Sequence, residues 1–214
     1  MPSLARSTFY NAIGSAAMLG SGFLTTLIAA RLLGPEATGV VAFATLIVTL
    51  ALAVLDLGLP GAMTRFMPEL RNISENRDRS VAALVLVPYA VLSVMAAMVL
   101  FAFLRASGLD VGASAPLVAA LICGSVVMQS LAAFHYGVLK GQQRFKTFAV
   151  LAVISGVAQI GLAIAGARSH GVPGVLAATL AAYTIPAAAS LRELRHAELG
   201  PGLTHHELMR RIEK

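Results

Sequence analysis

Uncharged stretches of the chain extend to lengths that a soluble fold does not tolerate: Ser7 to Ala30, Ala37 to Leu55, Ser80 to Leu104, Val111 to Leu139, Thr147 to Ala167 and Ser169 to Leu191. At 1.5 Å rise per residue, each of these six runs forms a helix long enough to cross a hydrocarbon layer about 30 Å thick. The runs are continuously apolar, without the period-two alternation of membrane strands, so a transmembrane barrel is excluded. Composition agrees, since 57% of the 214 residues are apolar, only 12% are charged and the mean hydropathy is +0.80. A soluble core of this size needs far more charged surface. The first run follows Arg6, as a signal peptide would. It is too long for a cleaved apolar core, and Ala29 and Ala30 lead straight into the next hairpin, so it is a retained helix. The fold class is an all-α integral membrane protein with six transmembrane helices.

The net charge of +6 first suggests nucleic acid, but its placement does not. With a cytoplasmic N-terminus the inner face carries Arg6, Arg65, Arg71, Arg77, Arg79, Lys140, Arg144, Lys146, Arg192, Arg195, Arg210, Arg211 and Lys214, and the outer face only Arg31, Arg105 and Arg168. Of the 16 Lys and Arg, 13 are then inside and 3 outside, which is the positive-inside asymmetry. Both termini are therefore expected in the cytoplasm, no nucleic-acid partner is implied, and the inner face attracts anionic lipid headgroups. Cys123 is the single cysteine, so it pairs with nothing in the chain and is expected as a small buried packing residue.

Taken in order, helix one spans about Phe9 to Ala30, with Asn11, Ser15 and Gly22 on one face as packing or lumen-facing residues. Gly34 and Pro35 stop it and open a tight external turn. Helix two runs from about Thr38 to Leu57 and is weakened by Gly58, Pro60 and Gly61. Met63 to Ser80 is too charged for lipid and is expected to be a cytoplasmic loop with some helix. The remaining helices span about Val81 to Leu104, Pro116 to Leu139, Thr147 to Ala167 and Val175 to Leu191.

These six helices make one lobe, residues 1–191, and residues 192–214 a cytoplasmic tail. In the tail, Thr204 and Glu207 form a capping-box pattern just before the sequence stops. That is the expectation of a chain cut in the middle, or of a short tail helix lying on the membrane. The first and third hairpins are alike, Arg6-x-x-Phe9 to Ala30-Arg31-x-x-Gly34 against Phe145-x-x-Phe148 to Ala167-Arg168-x-x-Gly171. Either an internal repeat or convergence on the same turn chemistry gives this.

No catalytic pattern is present: there is no Gly-x-Ser-x-Gly elbow, no phosphate-binding Gly-rich loop with its Lys, and no His-Glu-x-x-His. His205 and His206 are adjacent and point to different faces, against a metal pair. No metal or cofactor is expected. What remains is polar groups at membrane depth, which face protein or a water-filled cavity because burying a charge in lipid costs about 2.5 to 3.5 kcal/mol.

Arg31, at the outer end of helix one, either snorkels to the interface or forms one side of a cationic cleft for phosphate or pyrophosphate. Asp56, one turn from the inner end of helix two, is an interfacial carboxylate or a coupling site. Arg65 and Glu69 are spaced i, i+4 and form at most a weak solvated pair. Gln129 and Gln159 are intramembrane amides expected to hydrogen-bond between helices or to line the cavity, and His135 is expected to be packed.

The run Ala30-Arg31-Leu32-Leu33-Gly34-Pro35-Glu36-x-x-Gly39, then Asp56-Leu57-Gly58-Leu59-Pro60, Arg65-Phe66 and Glu69-Leu70, resembles the N-terminal part of bacterial polysaccharide flippases of the O-antigen and exopolysaccharide type. Gly141-x-x-Arg144-Phe145 and Gly171-x-x-Gly174 extend the likeness over essentially the whole chain. These flippases belong to the multidrug/oligosaccharidyl-lipid/polysaccharide exporter superfamily. The resemblance implies two six-helix lobes facing each other across a cavity. It also implies a carrier that moves an undecaprenyl-pyrophosphate-linked oligosaccharide across the bacterial inner membrane by alternating access. This chain corresponds to the first lobe, so its expected partners are membrane lipids and either a C-terminal lobe or a second copy. The resemblance carries Arg31 over as a cavity cation and Asp56 and Arg65 as motif positions suited to hinges. A cation-coupled drug exporter of the same superfamily and a non-transporting membrane scaffold or remnant are the alternative functions.

Overall fold

The computed structural model describes residues 4–56, 58–71, 77–106 and 115–196. All the described elements are helices: α1 (Leu4–Asp56), α2 (Leu59–Arg71), α3 (Arg77–Ala106), α4 (Ala115–Gly141), α5 (Phe145–His170) and α6 (Val172–His196). Five of them, α2 being the exception, are long and apolar enough to cross a membrane.

The longest, α1, is two helices joined at Gly34, whose φ of 83° and ψ of 177° are not helical. Only glycine adopts that backbone at little cost, and Pro35 then presets φ for the next helix. Thr38 Oγ1 donates to the Gly34 carbonyl at 2.7 Å, closing the first turn beyond the break. The chain reverses there, because residues on opposite sides of Gly34 meet: Ala29 and Val41 are buried in one cluster with Ala167 and Val175. The second arm, Pro35 to Asp56, is about 33 Å long at 1.5 Å per residue, so each arm crosses once and α1 supplies two of six crossings.

Apart from the C-terminal end of helix two, which stops at Asp56, the observed helices overrun the expected ones, because apolar composition marks the hydrocarbon layer while helical hydrogen bonding continues into the interface. Arg77 to Ser80, expected as loop, is the first turn of α3. Part of the same expected loop folds as α2, a strongly amphipathic helix entered through Gly58 at φ 75° with Pro60 in its first turn, where a missing N–H costs nothing. It buries Met63 and Met67 against Leu86, Tyr89, Leu131, Phe134 and Val138 and exposes Thr64, Arg65 and Phe66. This face requires glycine on α4, since a Cβ at Gly137 would sit 2.6 Å from the Pro60 carbonyl oxygen.

α4 is the axis of the lobe. It is the helix with most of its length buried, and it contributes to the clusters around Val118 to Val126, around Leu131 to Val138, and around Ala132, Tyr136 and Leu139. Cys123 lies in the first of these as packing. Ser93 donates to the Tyr89 carbonyl at 2.8 Å and accepts from Ser130 at 2.9 Å, a buried polar tie between α3 and α4. α5 and α6 cross with their backbones in direct contact at Gly166 and Gly174, and α1 packs along α5. The turn between α5 and α6 repeats the chemistry of the α1 reversal, with Gly171 at φ 62°. The large apolar side chains left outside, among them Phe9, Leu19, Phe23, Val54, Val99, Phe103 and Val157, form the face that a bilayer covers. The capping-box residues Thr204 and Glu207 lie outside the described residues.

Candidate functional site

Inside the lobe, both arms of α1 together with α4, α5 and α6 enclose a cavity of about 110 Å³. Gly22, Thr25 and Thr26 reach it from the first arm, and Ala44, Thr45, Val48 and Thr49 from the second. Ser125 and Gln129 come from α4, Gln159 from α5, and Thr179 and Tyr183 from α6. Counted from the helix ends, these positions fall in the middle stretch of the bundle rather than at either surface.

The local reason for the pattern is helical spacing. Thr45 and Thr49 are four apart, as are Ser125 and Gln129, and Thr179 and Tyr183, so each helix presents one polar stripe to the same space. Most of the hydroxyls are satisfied by their own helix. Thr26 donates to the Gly22 carbonyl at 3.1 Å, Thr45 to Val41 at 2.8 Å, Thr49 to Thr45 at 2.8 Å and Thr179 to Val175 at 3.3 Å. Each still has lone pairs to offer a ligand. Thr25 differs, since its side chain is 5% exposed and its Oγ1 is buried without a protein hydrogen-bond partner.

The structure brings Gln129 and Gln159 to this one cavity, the second of them 6% exposed. Among the described residues neither amide is hydrogen-bonded to a neighbouring helix; both are turned to the cavity instead. The other three candidates are not part of it. Arg31 is exposed, one turn before Gly34. Asp56 is exposed at the end of α1, and Arg65 is exposed on α2 with its guanidinium 5.8 Å from the Phe66 ring centre. His135 is buried and packed, as expected. Among the described residues no cluster of three or more His, Cys, Asp or Glu side chains forms.

The hydroxyl residues Thr25, Thr45, Thr49, Thr179 and Tyr183 were not singled out by the sequence as ligands; the signal was present only as i, i+4 polar pairs on helices whose mutual orientation the sequence does not state.

The cavity has hydrogen-bond donors and acceptors on four sides, and among the described residues no side chain lining it carries a formal charge at neutral pH. Such a surface suits a neutral, hydroxyl-rich group and offers nothing to balance a cation. At about 110 Å³ it has room for water or for one projecting part of a larger molecule.

A family described as "Polysaccharide biosynthesis protein" matches residues 4–194. Two solved structures share the fold. One is an outward-facing multidrug resistance MATE family transporter of the MOP superfamily, with a TM-score of 0.65 and 19% identity, covering 95% of this chain and 47% of that one. The other is a MOP superfamily transporter from Pyrococcus furiosus, described as having a binding pocket of reverse polarity, with a TM-score of 0.63 and 18% identity over 95% of this chain and 47% of that one. The chain thus spans about half the length of the structures it matches. No curated protein gives a significant match.

Proposed function

The chain belongs to the polysaccharide biosynthesis protein family, and from that premise we propose that it is one lobe of a carrier moving a lipid-linked oligosaccharide across the bacterial cytoplasmic membrane. The observation that carries the proposal is the chemistry of the central cavity: Gln129, Gln159 and a ring of Thr and Tyr hydroxyls with no formal charge among them. Sugars are recognised by paired hydroxyl donors and acceptors of this kind. The lipid part of the substrate stays in the bilayer against the apolar outer face, and the pyrophosphate meets cations at the lobe surface, for which Arg31 remains the candidate. Asp56 and Arg65 flank the left-handed Gly58 turn, a position suited to a hinge between α1 and α2. The 13 to 3 distribution of basic residues supports cytoplasmic termini.

A single lobe lacks an opposing wall, so a second six-helix body, a further half of a longer chain or another copy, completes the site. A carrier rather than an enzyme is the reading supported by the family match and by the transporters that share the fold. The shared fold suits a cation-coupled multidrug exporter equally well. Against that alternative, neither of the acidic side chains Glu36 and Asp56 lines the cavity. Replacing Gln129 and Gln159 together with Leu in the native host, with Arg31→Ala as a separate variant, is expected to lower surface polysaccharide without lowering the amount of protein in the membrane. Unchanged polysaccharide with altered drug tolerance transfers the function to drug export. No phenotype in either assay leaves a scaffold.

A further inference from the structure

At the end of the lobe opposite the Gly34 reversal, a second cavity of about 140 Å³ is lined by Arg6, Ser7 and Tyr10 of α1 and by Gln143, Arg144, Phe145 and Lys146 of the α4–α5 turn. Three cations from two segments far apart in sequence converge on it, and among the described residues no carboxylate lines it. The turn is built to hold them there. α4 ends in a Schellman arrangement: the Arg144 amide donates to the Leu139 carbonyl at 2.9 Å and the Gln143 amide to Lys140 at 3.0 Å. Gln143 occupies the left-handed position with φ 58°, where glycine is usual, so the motif keeps a side chain facing the cavity at a cost of about 1 kcal/mol.

Arg144 then serves as the N-cap of α5 without a side-chain capping bond. On the other wall, Arg6 lies 5.7 Å from the centre of the Tyr10 ring, which restrains its guanidinium. Arg6 and the α4–α5 turn lie at the ends of the apolar helices α1, α4 and α5, outside their uncharged stretches.

We propose that this cavity binds the phosphate of a membrane lipid, with Arg6, Arg144 and Lys146 around the anion and Ser7 and Gln143 donating to its oxygens. Two lipids bring that chemistry: an anionic phospholipid of the surrounding leaflet, or the pyrophosphate of a polyprenyl carrier arriving at the lobe. The site lies at a different end of the bundle from Arg31 and rests on its own residues, independently of what the central cavity carries.

The test is lipid retention by the full chain purified in neutral detergent, followed by native mass spectrometry with added phosphatidylglycerol, phosphatidylethanolamine or a polyprenyl pyrophosphate. Phosphatidylglycerol retention is expected to exceed that of phosphatidylethanolamine. It should fall about fivefold for each cation neutralised and on the order of 100-fold in the triple variant Arg6→Gln, Arg144→Gln, Lys146→Gln. Arg105→Gln, at the other end of the bundle, is the control and retains lipid as the parent does. Stoichiometric displacement of phosphatidylglycerol by the polyprenyl pyrophosphate assigns the site to the carrier lipid, and absence of displacement assigns it to the leaflet. Equal retention of phosphatidylglycerol by the parent and by a triple variant with unchanged helical circular dichroism overturns the proposal.

Discussion

Replacing Thr25 with Val separates what the central cavity does for the fold from what it does for a ligand. The two side chains have the same branched shape and differ in one hydroxyl for one methyl. In the structure the Thr25 hydroxyl is buried without a protein partner, while Thr26, next to it, is bonded to the Gly22 carbonyl at 3.1 Å. A buried hydroxyl without a partner costs about 1 to 3 kcal/mol relative to one that is bonded. The substitution is therefore expected to stabilise the lobe by about 1 kcal/mol, which for a chain of this size raises Tm by about 2 to 4 °C. Thermal unfolding of the purified protein in mild detergent, followed by far-ultraviolet circular dichroism, measures it. Thr26→Val, which removes a satisfied and exposed hydroxyl, is the control and should move Tm by less.

The same Thr25→Val substitution is expected to lower surface polysaccharide, because it deletes the hydroxyl most in need of a ligand. Stability and function thus move in opposite directions, as they do where a site keeps unsatisfied groups for its substrate. A lower Tm for Thr25→Val would refute the reasoning, since it would mean that the hydroxyl is engaged in the folded protein.

Gly166→Ala is expected to cost about 1 to 3 kcal/mol, because the new Cβ meets the Gly174 backbone and must part α5 from α6; faster amide exchange confined to those two helices is the check. In membranes, a cysteine placed at Gln143, exposed in the α4–α5 turn, should react with an impermeant maleimide only from the cytoplasmic side. One at Ser169, exposed at the other end of α5, should react only from outside, and the reverse pattern would invert the orientation. Cys123 is buried and stays unlabelled in both experiments.

The crossings were legible because lipid imposes a coarse code. Every charge inside it is expensive, so Arg6, Arg31, Arg105, Lys140 and Arg168 mark the ends of spans to within a turn or so. Gly34 and Gly171 were legible as turns, since few other residues follow those backbones. The helix α2 was half legible: its charge excluded it from lipid, but its apolar face is buried against α3 and α4, and the close approach rests on Gly137 and Gly141, more than seventy positions from the residues they meet. The cavity-facing hydroxyls were the least legible, because Thr and Ser inside a membrane helix satisfy themselves on the preceding turn and need no partner to be tolerated. The Gln pair could be found as two expensive amides but not as one site, since the distance between Gln129 and Gln159 is a property of packing.

The placement of amides and hydroxyls in mid-bundle and of cations at its end suits the substrate proposed for this protein. A lipid-linked sugar has a doubly anionic head where lipid joins glycan and a neutral glycan beyond it, so one binding surface cannot serve both at equal strength. Cations deep in the bundle would hold the pyrophosphate too tightly to release it and would cost several kcal/mol to bury unpaired. Placing Arg6, Arg144 and Lys146 at the end of the helices keeps them hydrated and leaves their attraction dependent on salt. The neutral amides and hydroxyls around Gln129 and Gln159 can lie at membrane depth for the opposite reason. Thr26, Thr45, Thr49 and Thr179 are already bonded to their own helices, so a further hydrogen bond from them to a sugar is a modest gain, easily lost when an opposing lobe moves. The segregation predicts a specific dependence on ionic strength: raising salt should weaken capture of phosphate lipid at the basic end and leave the effect of Gln129→Leu and Gln159→Leu unchanged. A salt-dependent defect in that double variant would place charge recognition inside the cavity and overturn the separation of the two sites.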